Sequence, residues 1–112
     1  MKIEVKGRNV PVNDELRELV ERKFRKVAAQ VSDLARLEVE LREERNPAIP
    51  EPHVAEVTLH LKGVTLRAEC AARELPQAVR LCSDELARQV KRHREKRRRR
   101  REARAAGAQP AV

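Results

Sequence analysis

Apolar and polar residues alternate in four short segments of the chain, which is the pattern of β-strands that bury one face. The first segment occupies residues 2–6 and ends at Gly7, and the second occupies residues 36–42. The third and fourth segments are separated by Lys62 and Gly63, a pair that predicts the turn of a hairpin. Their inward positions are Ala55, Val57, Leu59 and Leu61 in the third segment, and Val64, Leu66, Ala68 and Cys70 in the fourth.

Two other segments place apolar residues three and four positions apart, which is the period of an amphipathic helix. The first helix is predicted over residues 14–29, after Asn13, whose side chain suits the N-cap. The second begins near Pro76, a residue favoured in a first helical turn, and its apolar stripe ends at Val90. Good helix formers continue to about Ala105, so this helix should project beyond the core. The two stripes consist of Leu16, Leu19, Val20, Phe24 and Val27, and of Val79, Cys82, Leu86 and Val90.

The order of these elements is β-α-β-β-β-α, which predicts an α+β fold. Four strands with one apolar face form a four-stranded sheet, and the two amphipathic helices pack on that face. A basic helical extension follows at the C-terminal end. One domain is predicted over residues 1–104, followed by a disordered tail at residues 105–112. Between the second and third strands, residues 43–52 are polar and contain three prolines, which predicts a loop.

Positive charge is concentrated at the end of the predicted second helix. Residues 88–104 hold eleven Lys/Arg and two Glu, a net charge of +9, whereas the whole chain of 112 residues carries +8. The rest of the chain is therefore close to neutral. Such a run repels itself unless a polyanion neutralises it, and nucleic acid is the abundant polyanion inside cells.

The helices, rather than the sheet, are the predicted RNA-binding side. The outer face of the first helix carries Arg17, Arg22, Lys23, Arg25 and Lys26. The predicted outer face of the sheet carries Glu38, Glu40, Glu56 and Glu69 among its charges. Phe24 is the single aromatic residue of the sequence, so aromatic rings cannot form a platform for unstacked bases. This favours binding to a structured RNA surface through charge and shape.

No constellation of residues predicts catalysis, a metal site or a cofactor. His53, His60 and His93 are isolated, and Cys70 and Cys82 are not in a metal or redox spacing. Both cysteines fall on predicted apolar faces and are interpreted as reduced core thiols. We therefore predict a protein that is not an enzyme and uses no small-molecule substrate. The sequence has neither a membrane-spanning apolar run nor a secretory signal, which favours a cytoplasmic protein without a membrane partner.

Several short motifs, in the same order, resemble the bacterial ribosome hibernation promoting factor family, which includes the ribosome-associated inhibitor proteins. Together they cover about residues 1–100. They are Gly7-Arg8-Asn9-Val10, Leu16-Arg17-Glu18-Leu19-Val20 with Lys23-Phe24-x-Lys26, Glu56-Val57-Thr58-Leu59-His60, and Asp84-x-Leu86-Ala87-Arg88-Gln89-Val90 with the basic run after it. The β-α-β-β-β-α order found from periodicity agrees with this resemblance.

The resemblance implies binding to ribosomal RNA of the small ribosomal subunit, in the mRNA/tRNA channel near the decoding region. A bound protein would block tRNA and mRNA, inhibit translation by occupancy, and preserve inactive ribosomes in starvation or stationary phase. We expect it to be a monomer when free. The matching motifs give the candidate RNA contacts, with Arg97 extending them: Lys23, Lys26, Arg88, Lys91, Arg92, Arg94, Lys96 and Arg97.

The chain also departs from this family, and other interpretations stay open. Pro76 stands where the family tends to have an aromatic residue, and Arg80 replaces an acid. Long members have a second domain that pairs ribosomes; we expect this chain to lack it and not to pair ribosomes by that route. The alternatives are a double-stranded RNA-binding domain, which would place a Lys-rich cluster near Gln77, a structural ribosomal or assembly protein, and non-specific adhesion to DNA or an anionic membrane.

Overall fold

The computed structural model describes residues 1–108 and contains one four-stranded sheet with helices on one of its faces. This confirms the predicted α+β fold and the β-α-β-β-β-α order, with the first helix divided into two segments. The elements are β1 (Lys2–Arg8), α1 (Asp14–Lys23), α2 (Arg25–Ala28), β2 (Arg36–Glu43), β3 (His53–Leu61), β4 (Val64–Ala72) and α3 (Leu75–Ala108).

The strands lie in the sheet in their chain order, β1-β2-β3-β4. β1 and β2 are parallel, and α1 and α2 form the crossover that such a pair requires. β2, β3 and β4 are antiparallel neighbours. Gly63 in the β3–β4 turn has φ of 77°, a left-handed conformation that glycine adopts without strain, which agrees with the predicted hairpin turn.

The core lies between the sheet and the helices. α3 packs on β3 and β4, α1 packs beside β1, and both α1 and α2 contact α3. The residues with no exposed surface include Val20, Phe24 and Val27 from the first helical region, and Val79, Cys82, Leu86 and Val90 from α3. The apolar stripes predicted from the period therefore define the buried faces of the helices.

The first helical region is interrupted at Phe24, where a single helix was predicted over residues 14–29. The backbone of Phe24 has φ of −94° and ψ of 8°, outside the helical region, while its ring is fully buried. Its N–H still donates to the carbonyl of Val20 at 3.0 Å. The carbonyl of Phe24 likewise accepts from the N–H of Ala28 at 3.0 Å, so the break leaves both backbone polar groups of Phe24 hydrogen-bonded. Asn13 caps α1 as predicted, since its Oδ1 accepts from the N–H of Leu16 at 2.9 Å.

β1 continues through Gly7 to Arg8, whereas the sequence suggested that Gly7 ends it. Gly7 pairs with Leu41 of β2 and lies under the segment that leads to α1. A Cβ atom at this position would lie 2.2 Å from the carbonyl oxygen of Val10 and 2.8 Å from a methyl carbon of Val12. Glycine is thus required here for a close approach between two backbone segments, and not to terminate the strand.

α3 has 34 residues, which corresponds to a length of about 51 Å. It gives the molecule an elongated shape of 69 × 28 × 18 Å. The helix continues to Ala108, so residues 105–108 are helical where a disordered tail was predicted. Ala105 and Ala106 favour helix strongly and prolong the preceding turns. The prediction for residues 109–112 lies outside the described residues.

Replacing Leu86 with Ala should lower the free energy of unfolding by about 2–5 kcal/mol, because the side chain is fully buried between α3 and the sheet. Chemical denaturation followed by circular dichroism measures this change. Leu81→Ala is the matched control on the same helix, since Leu81 is 37% exposed and its truncation should cost much less. Equal losses of stability in the two variants would contradict the assigned packing face of α3.

Candidate nucleic-acid interface

The helical side of the molecule, formed by α1, α2 and α3, has two basic grooves. The first, here called the inter-helix groove, lies between the α1–α2 region and the first half of α3 and has a volume of about 580 Å³. Its charged lining consists of Arg22, Lys23, Arg25, Lys26, Arg80 and Asp84. Five cationic side chains from separate elements thus face one concavity, where their fields add.

Two polar contacts fix the walls of the inter-helix groove. The hydroxyl of Ser83, a residue 1% exposed, donates to the carbonyl of Lys23 at 2.5 Å. This bond satisfies a carbonyl at the end of α1 and ties that end to α3. Close by, the ammonium of Lys26 donates to Asp84 Oδ1. The pair joins α2 to α3 across the floor of the groove.

The Asp84 carboxylate is held in its charged form by this contact. The hydrogen bond from Lys26 lowers the pKa of Asp84 below its ordinary value of 3.8, and the positive charges of Lys26, Arg80 and Arg88 act in the same direction. At neutral pH the carboxylate neutralises one of the five cations. The lining of the groove therefore keeps a net charge of +4 that attracts an anionic partner.

The second groove, here called the overhang groove, lies where α3 continues past the end of the sheet. Up to Val90, one face of α3 is apolar and buried; after it, the same face carries Arg94, Arg97 and Arg101 at spacings of four, three and four. These side chains face a space of about 560 Å³. Its other lining residues include Lys62 of the hairpin turn, the uncharged Gln30, Val31, Ser32 and Leu61, and Lys91, His93, Glu95 and Arg98 of α3.

The candidate contacts predicted from the sequence divide into three sets in the structure. Lys23 and Lys26 line the inter-helix groove. Lys91, Arg94 and Arg97 line the overhang groove. The third set lies on other parts of α3, outside both grooves, and consists of Arg88, Arg92 and Lys96.

Arg88 is already engaged within the protein, because its guanidinium donates to Glu85 at 2.8 Å. A phosphate would have to replace this exposed pair, which is a small cost for a surface interaction.

The structure adds basic residues that were not among the predicted contacts. Arg22, Arg25 and Arg80 complete the inter-helix groove. The sequence could have indicated two of them, because Arg22 lies four residues before Lys26 and Arg80 lies four residues before Asp84, which places each pair on one helix face. Lys62, Arg98 and Arg101 complete the overhang groove. No sequence pattern indicates Lys62, because its position beside α3 depends on how the hairpin turn packs against the helix.

The outer face of the sheet contains the four predicted glutamates, but it is charge-balanced and not acidic. Arg42 reaches Glu56 at 3.1 Å and Glu69 at 2.8 Å. Arg8 lies 3.7 Å from Glu40, and Arg36 lies 3.6 Å from Glu38. Each carboxylate of this row thus has an arginine partner in another strand or along its own strand. Within this row of ion pairs the opposite charges therefore largely offset one another.

Within residues 1–108, no group of three or more His, Cys, Asp or Glu side chains is placed to hold a metal ion. Cys82 is fully buried, and its thiol donates to the carbonyl of Ala55 at 3.0 Å. Burial raises the pKa of this thiol above its ordinary range, so it stays protonated. Cys70 is half-buried on β4. Of the helices in this part of the chain, none combines the length and the apolar character needed to cross a bilayer.

The protein-family model for the Sigma 54 modulation protein / S30EA ribosomal protein family matches residues 3–98. The chain belongs to this family. The match includes every predicted contact residue, from Lys23 to Arg97, and it ends within the arginine run of α3. The family resemblance seen in the sequence motifs is thereby confirmed.

Two curated relatives in this family carry names that refer to ribosome hibernation. A ribosome hibernation promotion factor of Picosynechococcus is 32% identical over 97 residues, which are 86% of this chain and 50% of that protein. A ribosome hibernation promoting factor of Salmonella typhimurium is 30% identical over 96 residues, 86% of this chain and 96% of that protein. The chain therefore spans about half the length of the first relative and nearly all of the second.

Solved structures show the same fold. The N-terminal domain of Thermus thermophilus Protein Y superposes with a TM-score of 0.71 at 28% identity, covering 83% of this chain and 99% of that domain. A ribosomal subunit interface protein from Coxiella burnetii gives the same TM-score at 19% identity, covering 85% and 99% respectively. At that identity, the second comparison supports the fold alone.

Replacing Lys26 with Gln should raise the pKa of Asp84 towards its ordinary value, because the donor that stabilises the carboxylate is removed. An NMR titration of the Asp84 side chain measures the shift. Since the pKa of Asp84 is depressed in the folded state, the pair stabilises the fold above about pH 4, and this contribution disappears as the pH falls through the folded-state pKa. Lys23→Gln, in the same groove, is the control. No difference between wild type and Lys26→Gln would disprove the pairing.

Proposed function

We propose that this protein is a ribosome hibernation factor that binds the small ribosomal subunit and inhibits translation. In this proposal its two basic helical regions occupy the mRNA/tRNA channel and contact ribosomal RNA. Membership in the Sigma 54 modulation protein / S30EA ribosomal protein family and the names of the curated relatives support a role on the ribosome. A ribosomal partner would place its action in the cytoplasm, and we further propose that the protein is a monomer when free.

The observation that carries this proposal is the segregation of charge between the two sides of the molecule. Both basic grooves lie on the helical side. On the sheet side, each carboxylate of the row from Glu38 to Glu69 is paired with an arginine. A phosphate-lined surface would therefore orient the protein with its helices inward. Release of counterions from the RNA would supply much of the affinity.

The proposed mechanism is steric occupancy, which requires rigidity and charge but no catalytic group. α3 is about 51 Å long, and the molecule is 69 Å in its longest dimension and 18 Å in its shortest. A narrow rod of this kind suits a channel between walls of RNA. In the proposal, Lys23 and Lys26 contact RNA from the inter-helix groove. The contacts along α3 are made by Arg88, Lys91, Arg92, Arg94, Lys96 and Arg97.

A double-stranded RNA-binding domain is less consistent with the structure. That class places its basic cluster at the start of the last helix. Here α3 starts after Glu74 with Leu75, Pro76 and Gln77, and the basic cluster lies beyond Val90 at the far end. The charge is thus at the wrong end of the helix for that binding mode.

Neutralising four residues of α3, Lys91, Arg92, Arg94 and Lys96, to Gln should weaken binding to small subunits by several kcal/mol in sum. The slope of log K against log salt should become shallower by about 0.9 for each phosphate that the variant no longer neutralises. Binding measured by sedimentation across a range of salt concentrations tests both effects. Gln keeps the helix propensity, and these side chains lie outside the buried stripe, so the fold should be retained.

A variant with the same charge change on the sheet side is the control for this experiment. Lys2, Lys6, Arg8 and Arg67 replaced by Gln should reduce the affinity far less, because these residues lie on or beside the sheet's outer face. If the two variants are weakened equally, net charge alone governs binding and the helical side is not the contact surface.

The distribution of the protein in lysates separates a hibernation factor from a structural ribosomal protein. We expect it to sediment with ribosomal particles from starved cells and to be largely absent from the particles of growing cells. Quantitative immunoblots across a sucrose gradient measure this. Equal loading in both conditions would identify a constitutive ribosomal component instead.

A further inference from the structure

The overhang groove has two walls of different chemical character. On the helix side, Arg94, Arg97 and Arg101 form a row, and on the opposite side Val31 and Leu61 offer half-buried apolar surface beside the uncharged polar Gln30 and Ser32. Lys62 also lines the groove, from the β3–β4 turn. The inter-helix groove has no comparable division, since charged residues line both of its sides. One basic and one largely uncharged wall match the two sides of a nucleotide chain, its phosphates and its bases.

We propose that the overhang groove binds a single strand of RNA. The phosphates contact Arg94, Arg97 and Arg101, and the sugars and bases rest against Val31 and Leu61. This deepens the proposed function, on which it rests for its choice of RNA as partner, because it assigns a distinct strand-binding site to a protein otherwise expected to contact structured RNA.

The size and shape of the groove favour a single strand over a duplex. Its volume of about 560 Å³ falls within the range of sites that enclose small ligands, and it suits one or two nucleotides at a time. A double helix presents its phosphates on a convex surface that cannot enter a concavity of this size. Duplex RNA would instead meet the exposed back of α3, where Arg99 and Arg100 lie outside the groove.

The site should show little preference for base sequence. Sequence-tolerant strand binding commonly combines charge with aromatic stacking, and the single aromatic side chain, Phe24, has no exposed surface. Affinity must therefore come mainly from phosphate contacts. Apolar contacts with the bases and stacking of bases on arginine guanidinium groups contribute less. The consequence is a strong dependence on salt, with a slope of about 0.7 for each phosphate of a single strand.

The effect of neutralising Lys62 distinguishes binding in a groove from binding to the basic helix α3 alone. Lys62 belongs to the hairpin turn, which Gly63 holds in a left-handed conformation with φ of 77°, and it reaches the groove from the side opposite to α3. A helix that binds RNA by itself would be insensitive to Lys62. A groove formed by two elements should bind the strand more weakly when Lys62 is neutralised.

The test measures binding of a fluorescent eight-nucleotide uridine strand by anisotropy, with the whole chain and its variants. In R97Q/R101Q, we expect at least about tenfold weaker binding at about 0.1 M salt and a salt slope smaller by about 1.4. The matched control, R99Q/R100Q, removes the same charge from adjacent positions outside the groove, and its affinity should change less than about threefold. Lys62→Gln should weaken binding in the same direction as R97Q/R101Q.

Three results would overturn the strand-binding site: equal weakening by the two arginine pairs, no effect of Lys62→Gln, or an RNA hairpin binding in preference to the strand with the same sensitivity to R97Q/R101Q. Sedimentation of the wild-type chain with small subunits, compared with its strand binding, separates this outcome from failure of the proposed function. Ribosome binding without strand binding rejects the groove alone. Strand binding without ribosome binding rejects the ribosomal role and leaves the groove intact.

Discussion

Burial of one face of α3 against β3 and β4 determines where the positive charge of this protein lies. Val79, Cys82, Leu86 and Val90 have no exposed surface and fix both the position and the rotation of the helix. Because α3 is one continuous helix, the same packing determines where every later residue points. The basic part of α3 could not hold a defined direction by itself, since its like charges repel one another at i,i+4 spacing. The packed core thus holds the basic C-terminal part of α3 in a defined orientation.

The two sides of the molecule use charge in opposite ways. On the sheet, arginines and glutamates are paired across and along strands, with Arg42 bridging Glu56 and Glu69. Exposed pairs of this kind contribute little to stability, but they cancel the local field. On the helical side, Asp84 offsets only one of the cations of the inter-helix groove. In the proposed function, the resulting asymmetry would orient the protein with its helical side towards a polyanion.

The elements of the fold could be predicted from the sequence because each has a clear period. The stripe from Val79 to Val90 identified the buried face of α3, and the Lys62-Gly63 pair identified the hairpin turn. Features that depend on how closely the folded chain approaches itself could not be predicted. Gly7 was interpreted as a strand end, since no sequence pattern shows that the chain turns back after it and brings the Val10 carbonyl and the Val12 side chain against it.

The same limit applies to the candidate interface. The basic residues of both helices were evident from composition and spacing. Their division into two grooves was not, because Lys26 and Asp84 are 58 positions apart in sequence and Lys62 approaches α3 only in the folded protein. Arg88 was assigned as a contact without its bond to Glu85, which the structure shows. Charge could thus be located from the sequence, whereas its pairing required the tertiary structure.

Lysine footprinting on the ribosome can show which side of the molecule contacts RNA, because lysines occur on both sides. The protein is labelled with an amine-reactive reagent, free and bound to small subunits, and the modified sites are quantified by mass spectrometry. We expect protection of Lys23, Lys26, Lys91 and Lys96 on the helical side, while Lys2 and Lys6 beside the sheet's outer face stay reactive. Protection of Lys2 and Lys6 with continued reactivity of the helical lysines would contradict this expectation.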